Sequence, residues 1–375
     1  MKSRVLSFLQ QLALATLLVL FSVVAIEARP RARNIILIIG DGMGIGAITA
    51  ARCAGPGATG QLVLDTMPVT GLVKTHSADK LVTDSAASGT ALATGCKTDN
   101  GCISVDPGRR VLPTILELAG ELGKSSGVIT TDTVTSATPA VFYAHVDSRA
   151  REEDIALQLV ESRVAVAMGS GRRYFSAAPD GRKDGLDVLA RARGNGFDVL
   201  FDTPELAAGS GKRLLGLFSF DDAGPTLEAM LAKTIGALAQ NRRGFFVMAE
   251  SCLPDKGGHK NDIALSLRGV NELEDALRCA LRFAARDRRT LVVVTADHET
   301  GGLAVRDKDP QNPRFTPAWV DGHHTGNMVA VYAYGPGAEK FTGTHDNTDI
   351  PKIIASLWGR TLGSAGNPPP ARSYD

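Results

Sequence analysis

Hydrophobic positions along this chain fall into short runs that alternate with amphipathic segments. Three of the runs end in an acid. Asn34-Ile-Ile-Leu-Ile-Ile-Gly leads into Asp41, Phe245-Phe-Val-Met-Ala into Glu250, and Thr290-Leu-Val-Val-Val-Thr-Ala into Asp297, with His298 next. Each run is short and rich in β-branched or aromatic residues, the mark of a strand buried on both faces of a parallel sheet. Further strands are read over 127–131, 164–168 and 328–334. Helical periodicity covers 112–122, 152–160, 226–240, 262–286 and 349–358. The alternation predicts an α/β fold: a doubly wound, mostly parallel central sheet with helices on both faces.

In such sheets the carboxyl ends of the strands share one rim, and ligands bind there. Three carboxylates gathered at a dry rim repel one another and lose hydration, and metal cations are the simplest remedy. The pattern therefore predicts a metal centre. Charge adds little: Lys plus Arg is 41 and Asp plus Glu is 40 in 375 residues. That balance gives no electrostatic case for nucleic acid or a membrane surface as the main partner.

The N-terminus reads as a secretory signal over 1–25. Lys2 and Arg4 precede a nearly continuous apolar stretch, and Val23-Val-Ala25 offers small residues for cleavage. Secretion or a periplasmic location follows, or a membrane anchor if the segment stays uncleaved. No stable span is expected after cleavage. The remainder, 26–375, is read as one catalytic domain with its core over about 34–360 and a loose tail from about 363, where Pro368-Pro-Pro lies. Five cysteines are present, and Cys96 and Cys102 enclose a turn-like segment that makes them the candidate disulfide.

The candidate chemistry sits beside the strand ends. Asp41 lies in Gly40-Asp-Gly-Met-Gly, where glycines allow close approach of backbone and ligand. Asp84 is a natural N-cap for a helix of small residues that Gly95 stops, which places Ser85 at a helix N-terminus favourable to anions. A serine hydroxyl needs a base or a metal to act as a nucleophile. Asp255 and His259, four apart, reach one metal on a helical turn or a compact loop. Asp297-His298 and His323-His324 offer further ligands, and a mixed carboxylate and imidazole set suits zinc.

In order and spacing these segments resemble the alkaline phosphatase family. The resemblance rests on Asn34 to Gly44, Val82-Thr-Asp-Ser-Ala-Ala-Ser88, Ala137-Thr-Pro-Ala140 with Ala144-His-Val-Asp-Ser-Arg149, Met168-Gly-Ser-Gly-Arg-Arg173, Gly244 to Glu250, Asp255 through His259, Thr295-Ala-Asp-His298 and His324-Thr-Gly326. It implies hydrolysis of small-molecule phosphate monoesters through a phosphoserine at Ser85, with two zinc ions (Zn2+) and one magnesium ion (Mg2+). It implies Asp255, His259 and His324 as ligands of one zinc, and Asp41, Asp297 and His298, with Ser85, as those of the other. Asp41 would bridge to magnesium, completed by Thr138 and Glu250. Arg149 resembles the arginine that grips the phosphate. The His-Thr-Gly pattern favours His324 over His323.

Two departures stand out against that resemblance. Ser136 occupies a position that is Asp or His in many relatives, beside the magnesium site. Only 25 residues separate His298 from His324, where many relatives carry a larger crown. A small or absent crown, with little chain ahead of the first strand, favours a monomer over a homodimer. Two rival functions remain open at this point: a phosphodiesterase or nucleotide-hydrolysing branch of the same superfamily, and a non-catalytic phosphate- or metal-binding protein. Ser85 with Arg149 favours monoesters over diesters.

Overall fold

The computed structural model describes residues 32–177, 181–220, 224–307 and 314–362. The signal segment and the C-terminal tail read from the sequence lie outside these residues. Among the described residues, no helix is long and apolar enough to cross a membrane.

Ten strands form one sheet. They are β1 (Asn34–Gly40), β2 (Val69–Lys74), β3 (Ser125–Thr133), β4 (Val166–Ser170), β5 (Phe197–Leu200), β6 (Arg213–Leu217), β7 (Phe245–Ser251), β8 (Thr290–Thr295), β9 (Val329–Tyr334) and β10 (Gly343–Asp346). Their order across the sheet is β10-β2-β9-β8-β1-β7-β3-β4-β6-β5. Every pairing is parallel except those of β9, which runs antiparallel to both β8 and β2. The three acid-ended runs are thus the adjacent central strands β8, β1 and β7, in register from Asn34 opposite Thr290 and Ile35 opposite Phe246. Ile35 through Ile39 are fully buried. Burying each such side chain stabilises the fold by roughly 2 kcal/mol.

Eight of the helices fall into two groups. Ile45–Ala54, Leu227–Leu238, Leu253–Lys260 and Ile263–Asp287 pack with one another and on the central strands. Ser85–Thr94, Ile115–Glu121, Ala137–Ala140 and Asp349–Leu357 form the second group. The helix read from residue 112 begins instead at Ile115, because Thr114 and Glu117 form a reciprocal capping box. Pro113 therefore precedes the helix rather than entering its first turn. Between β8 and β9 the described residues build only two short ribbons, Ala304–Arg306 with Thr316–Ala318 and Glu299–Thr300 with His324–Thr325. The second ribbon carries His324 back over the rim.

No disulfide joins Cys96 to Cys102. The Cys102 thiol points elsewhere, donating to the Asp147 carbonyl at 3.5 Å and accepting from Arg109.

Candidate active site

Asp41, Glu250 and Asp297 occupy the carboxyl ends of β1, β7 and the turn after β8, and all three are buried. The glycine after Asp41 is required by crowding. Gly42 has φ +66°, and a Cβ there would stand 2.7 Å from the Asp255 Cα. Its N–H donates to Asp297 Oδ1 at 3.1 Å, and the His298 N–H donates to the same oxygen at 2.9 Å. That leaves Asp297 Oδ2 without a hydrogen-bond donor, 3.3 Å from His298 Nε2.

Asp255 and His259 sit on the helix Leu253–Lys260, which settles the helix-or-loop question left by the sequence. Pro254 opens this helix and Asn261, in the left-handed region at φ 52°, closes it. Four residues apart, the two side chains share a face. Gly258 between them lets the helix lie against the ribbon, since a Cβ there would meet the Thr300 carbonyl oxygen at 2.7 Å.

The donors converge in two groups. Asp255, His259 and His324 bring one ligand atom each within 4.8 Å of one another, and so do Asp41, Asp297 and His298. In the first group His259 Nε2 lies 3.2 Å from His324 Nε2, 3.4 Å from Asp255 Oδ2, and His324 Nε2 lies 3.5 Å from Asp255 Oδ1. In the second, His298 Nε2 lies 3.4 Å from Asp41 Oδ1 and 3.3 Å from Asp297 Oδ2. His323 is exposed and stands outside both groups, so geometry selects its neighbour.

Backbone partners set the tautomers. His259 Nδ1 donates to the Gly322 carbonyl at 2.8 Å and His324 Nδ1 to the Thr83 carbonyl at 2.9 Å. Thr300 Oγ1 gives its one hydrogen to Asp255 Oδ1 at 2.6 Å and so accepts from His298 Nδ1 at 3.2 Å. All three rings therefore turn an Nε2 lone pair into the site, as metal-binding imidazoles do.

Electrostatics point the same way. Burial, and then Asp297, Asp255 and Glu250, hold the Asp41 carboxyl well above its ordinary range. Burial pushes Glu250 up to about 8, with Asp132 and Asp297 adding to the shift. Asp41 Oδ1, Asp297 Oδ2, Glu250 Oε1 and the Thr138 hydroxyl are buried without a hydrogen-bond partner. Thr138 lies on the short helix Ala137–Ala140, which packs against β7. Orphaned oxygens beside imidazole lone pairs are a donor set that fits divalent cations.

Ser85 opens the helix Ser85–Thr94, and its Oγ lies 3.2 Å from His298 Nε2. Asp84 caps this helix by accepting from the Ala87 N–H at 2.9 Å through Oδ1. Its other oxygen accepts from Arg149 Nη1 at 3.1 Å and from the Gly101 N–H at 3.0 Å. The same carboxylate thus ties the arginine to the serine's helix. Every predicted site residue falls within this one neighbourhood.

Asp132 was not among the predicted site residues. It lies next to the last residue of β3, pairs with Lys256 Nζ at 3.2 Å and accepts from Ser136 Oγ at 3.5 Å. An acid directly after the run read as strand 127–131 was the available signal.

The alkaline phosphatase family model matches residues 32–318 and 306–359. Alkaline phosphatase 4 of Bacillus subtilis is 32% identical, with 87% of this chain and 88% of that protein covered. The alkaline phosphatase of Escherichia coli is 33% identical over 85% of this chain and 84% of its own. Among solved structures, a variant of the TAB5 alkaline phosphatase with magnesium bound in its M3 site superposes with a TM-score of 0.81, at 34% identity, covering 89% of this chain and 99% of that one. With this fold, these ordered motifs and these relatives, the chain belongs to the alkaline phosphatase family of phosphoric monoester hydrolases.

Proposed function

We propose that the chain hydrolyses phosphate monoesters through a phosphoserine at Ser85, with two zinc ions and one magnesium ion as resident cofactors. The observation that carries this reading is Ser85 Oγ set 3.2 Å from His298 Nε2, at the edge of two three-donor groups. Asp255, His259 and His324 would hold one zinc, and Asp41, Asp297, His298 and Ser85 the other. Asp41, Thr138 and Glu250 would hold magnesium. Bound there, the zinc pair supplies Lewis acidity that eases ionisation of the serine hydroxyl and takes charge from the leaving oxygen.

The chain's own groups do the rest. Ser85 Oγ attacks phosphorus, and the bond to the alcohol oxygen breaks. Water then attacks the phosphoserine, releasing inorganic phosphate and regenerating the hydroxyl. The N-terminus of helix Ser85–Thr94 would favour the anionic phosphoryl oxygens. Arg149 offers a planar fork to the same oxygens, aimed by Asp84. Contacts of this kind recognise the phosphoryl group and not the alcohol, so broad monoester specificity is expected.

Arg149→Ala is expected to lower kcat/KM by about 10- to 100-fold and to weaken inhibition by inorganic phosphate comparably. Arg149→Lys should recover only part of this, because an ammonium lacks the planar fork. An inhibition constant unchanged in Arg149→Ala would count against the assignment. The short segment between His298 and His324 supports a monomer, and sedimentation giving a tight dimer would refute that part.

The test of the whole reading is turnover of a chromogenic phosphate monoester beside its matching diester, from neutral to alkaline pH. Monoester preference supports it. Diester preference moves the chain to the phosphodiesterase branch, and no turnover with metals bound favours a binding protein. Export of the enzyme is proposed from the 1–25 segment, to be checked by the N-terminal sequence of the mature protein.

A further inference from the structure

A chain of buried hydrogen bonds runs from the metal-site turn to the end of β2. Ser88 sits one turn after Ser85 and is fully buried. Its Oγ donates to the Asp297 backbone carbonyl at 2.6 Å. Asn347, also fully buried, donates through Nδ2 to Ser88 Oγ at 2.9 Å and to the Thr75 carbonyl at 3.4 Å. Lys97 Nζ donates to Asn347 Oδ1 at 2.6 Å, to the His76 carbonyl at 2.6 Å, and pairs with Asp346 Oδ1 at 3.0 Å. The Asn347 N–H donates to the Lys74 carbonyl at 3.0 Å.

Donor counting fixes the direction of this chain. A hydroxyl has one hydrogen, and Ser88 gives it to Asp297, so toward Asn347 it can only accept. An ammonium has only donors, so the oxygen of the Asn347 amide must face Lys97 and its NH2 must face Ser88. The orientation is set by its neighbours at both ends. The turn carrying Asp297 lies beyond the last residue of β8, so no sheet partner is assigned to its carbonyl. Ser88 supplies one, and Asn347 holds Ser88 to that task.

We propose that Ser88 and Asn347 are positioning residues for the reaction: they lock the Ser85 helix against the Asp297 turn, so that the serine oxygen and the Asp297 carboxylate face one point. The proposal rests on the reading of Ser85 as nucleophile. A misplacement of about 1 Å in such a pair can cost on the order of 10²-fold in rate. Neither side chain is placed to touch substrate, so the loss should fall on kcat and leave KM nearly alone.

The test uses the metal-loaded full chain and the variants Ser88→Ala, Asn347→Asp and the double variant. Asn347→Asp keeps the side-chain shape, puts an acceptor where the NH2 donor faced Ser88, and adds a negative charge beside Lys97. Each single variant is expected to lose about tenfold in kcat with KM within about twofold of the parent, while melting cooperatively. Because both act through one hydrogen bond, the double variant should be no slower than the worse single variant by more than about twofold. Zinc transfer to a chromogenic chelator should quicken several-fold in all three. A kcat within twofold of the parent in both single variants would overturn the proposal, as would losses that multiply in the double variant. If the parent itself fails to turn over a monoester, the proposed function fails. Zinc release from the four proteins then still decides whether the relay holds the Asp297 turn: unchanged release overturns it.

Discussion

Replacing Ser85 by Ala should reduce monoester turnover on the order of 10⁴-fold or more, since on the proposed mechanism it removes the atom that accepts the phosphoryl group. The loss should be nearly free of structural cost. The helix Ser85–Thr94 is capped by Asp84 and stopped by Gly95, and neither contact involves the Ser85 hydroxyl. Ser85 Oγ meets His298 Nε2, which retains its Thr300 contact through the opposite ring nitrogen. The variant should therefore melt like the parent and keep its zinc. Steady-state hydrolysis of a chromogenic monoester, read beside a melting curve and metal analysis, checks all three points. Full activity in a folded, zinc-loaded Ser85→Ala would refute the mechanism.

Chelation should have the second large effect, and it should strike activity and stability together. Asp41 and Glu250 are driven toward protonation by burial and by the charge of neighbouring acids, Asp297 among them for both, and four site oxygens are buried without partners. Cations relieve that repulsion only in the folded chain. A site filled at about a thousand times its dissociation constant contributes roughly 4 kcal/mol to stability. With two or three such sites the melting temperature should fall by roughly 10 °C or more on metal removal. Turnover should vanish and return when zinc and magnesium are both restored. A chelated protein that keeps its melting temperature would show that these donors hold no ion.

Much of the site was legible because burial and chemistry coincide along the strands. Asp41, Glu250 and Asp297 announce themselves as acids closing runs too apolar to face water. Asp84 and Gly95 bracket a helix by capping rules alone, and the structure bears this out with the Ala87 contact and a left-handed Gly95. Asp255 and His259 share a face by helical spacing.

What escaped the sequence depended on contacts distant along the chain. His324 was preferred to His323 through the family resemblance alone; the physical ground, the ribbon that pairs His324 with Thr300, lies in a contact distant along the chain. The bond between Arg149 and Asp84 joins residues 65 apart. Asp132 was hidden because its partners, Ser136 and Lys256, come together only when β3 and the helix Leu253–Lys260 reach the same rim. β2 was overlooked because its pattern is half exposed and broken by Gly71. That glycine is needed where a Cβ would meet the Phe341 carbonyl oxygen at 2.3 Å.

On the proposed mechanism Ser85 itself takes the phosphoryl group. The most direct measurement is a rapid acid quench of the metal-loaded enzyme during monoester turnover, followed by mass spectrometry of the peptide bearing Ser85. Phosphate is expected on Ser85, absent without substrate and absent in Ser85→Ala. Steady turnover with that peptide unmodified under every quench condition, and product formed without a covalent intermediate, would contradict it.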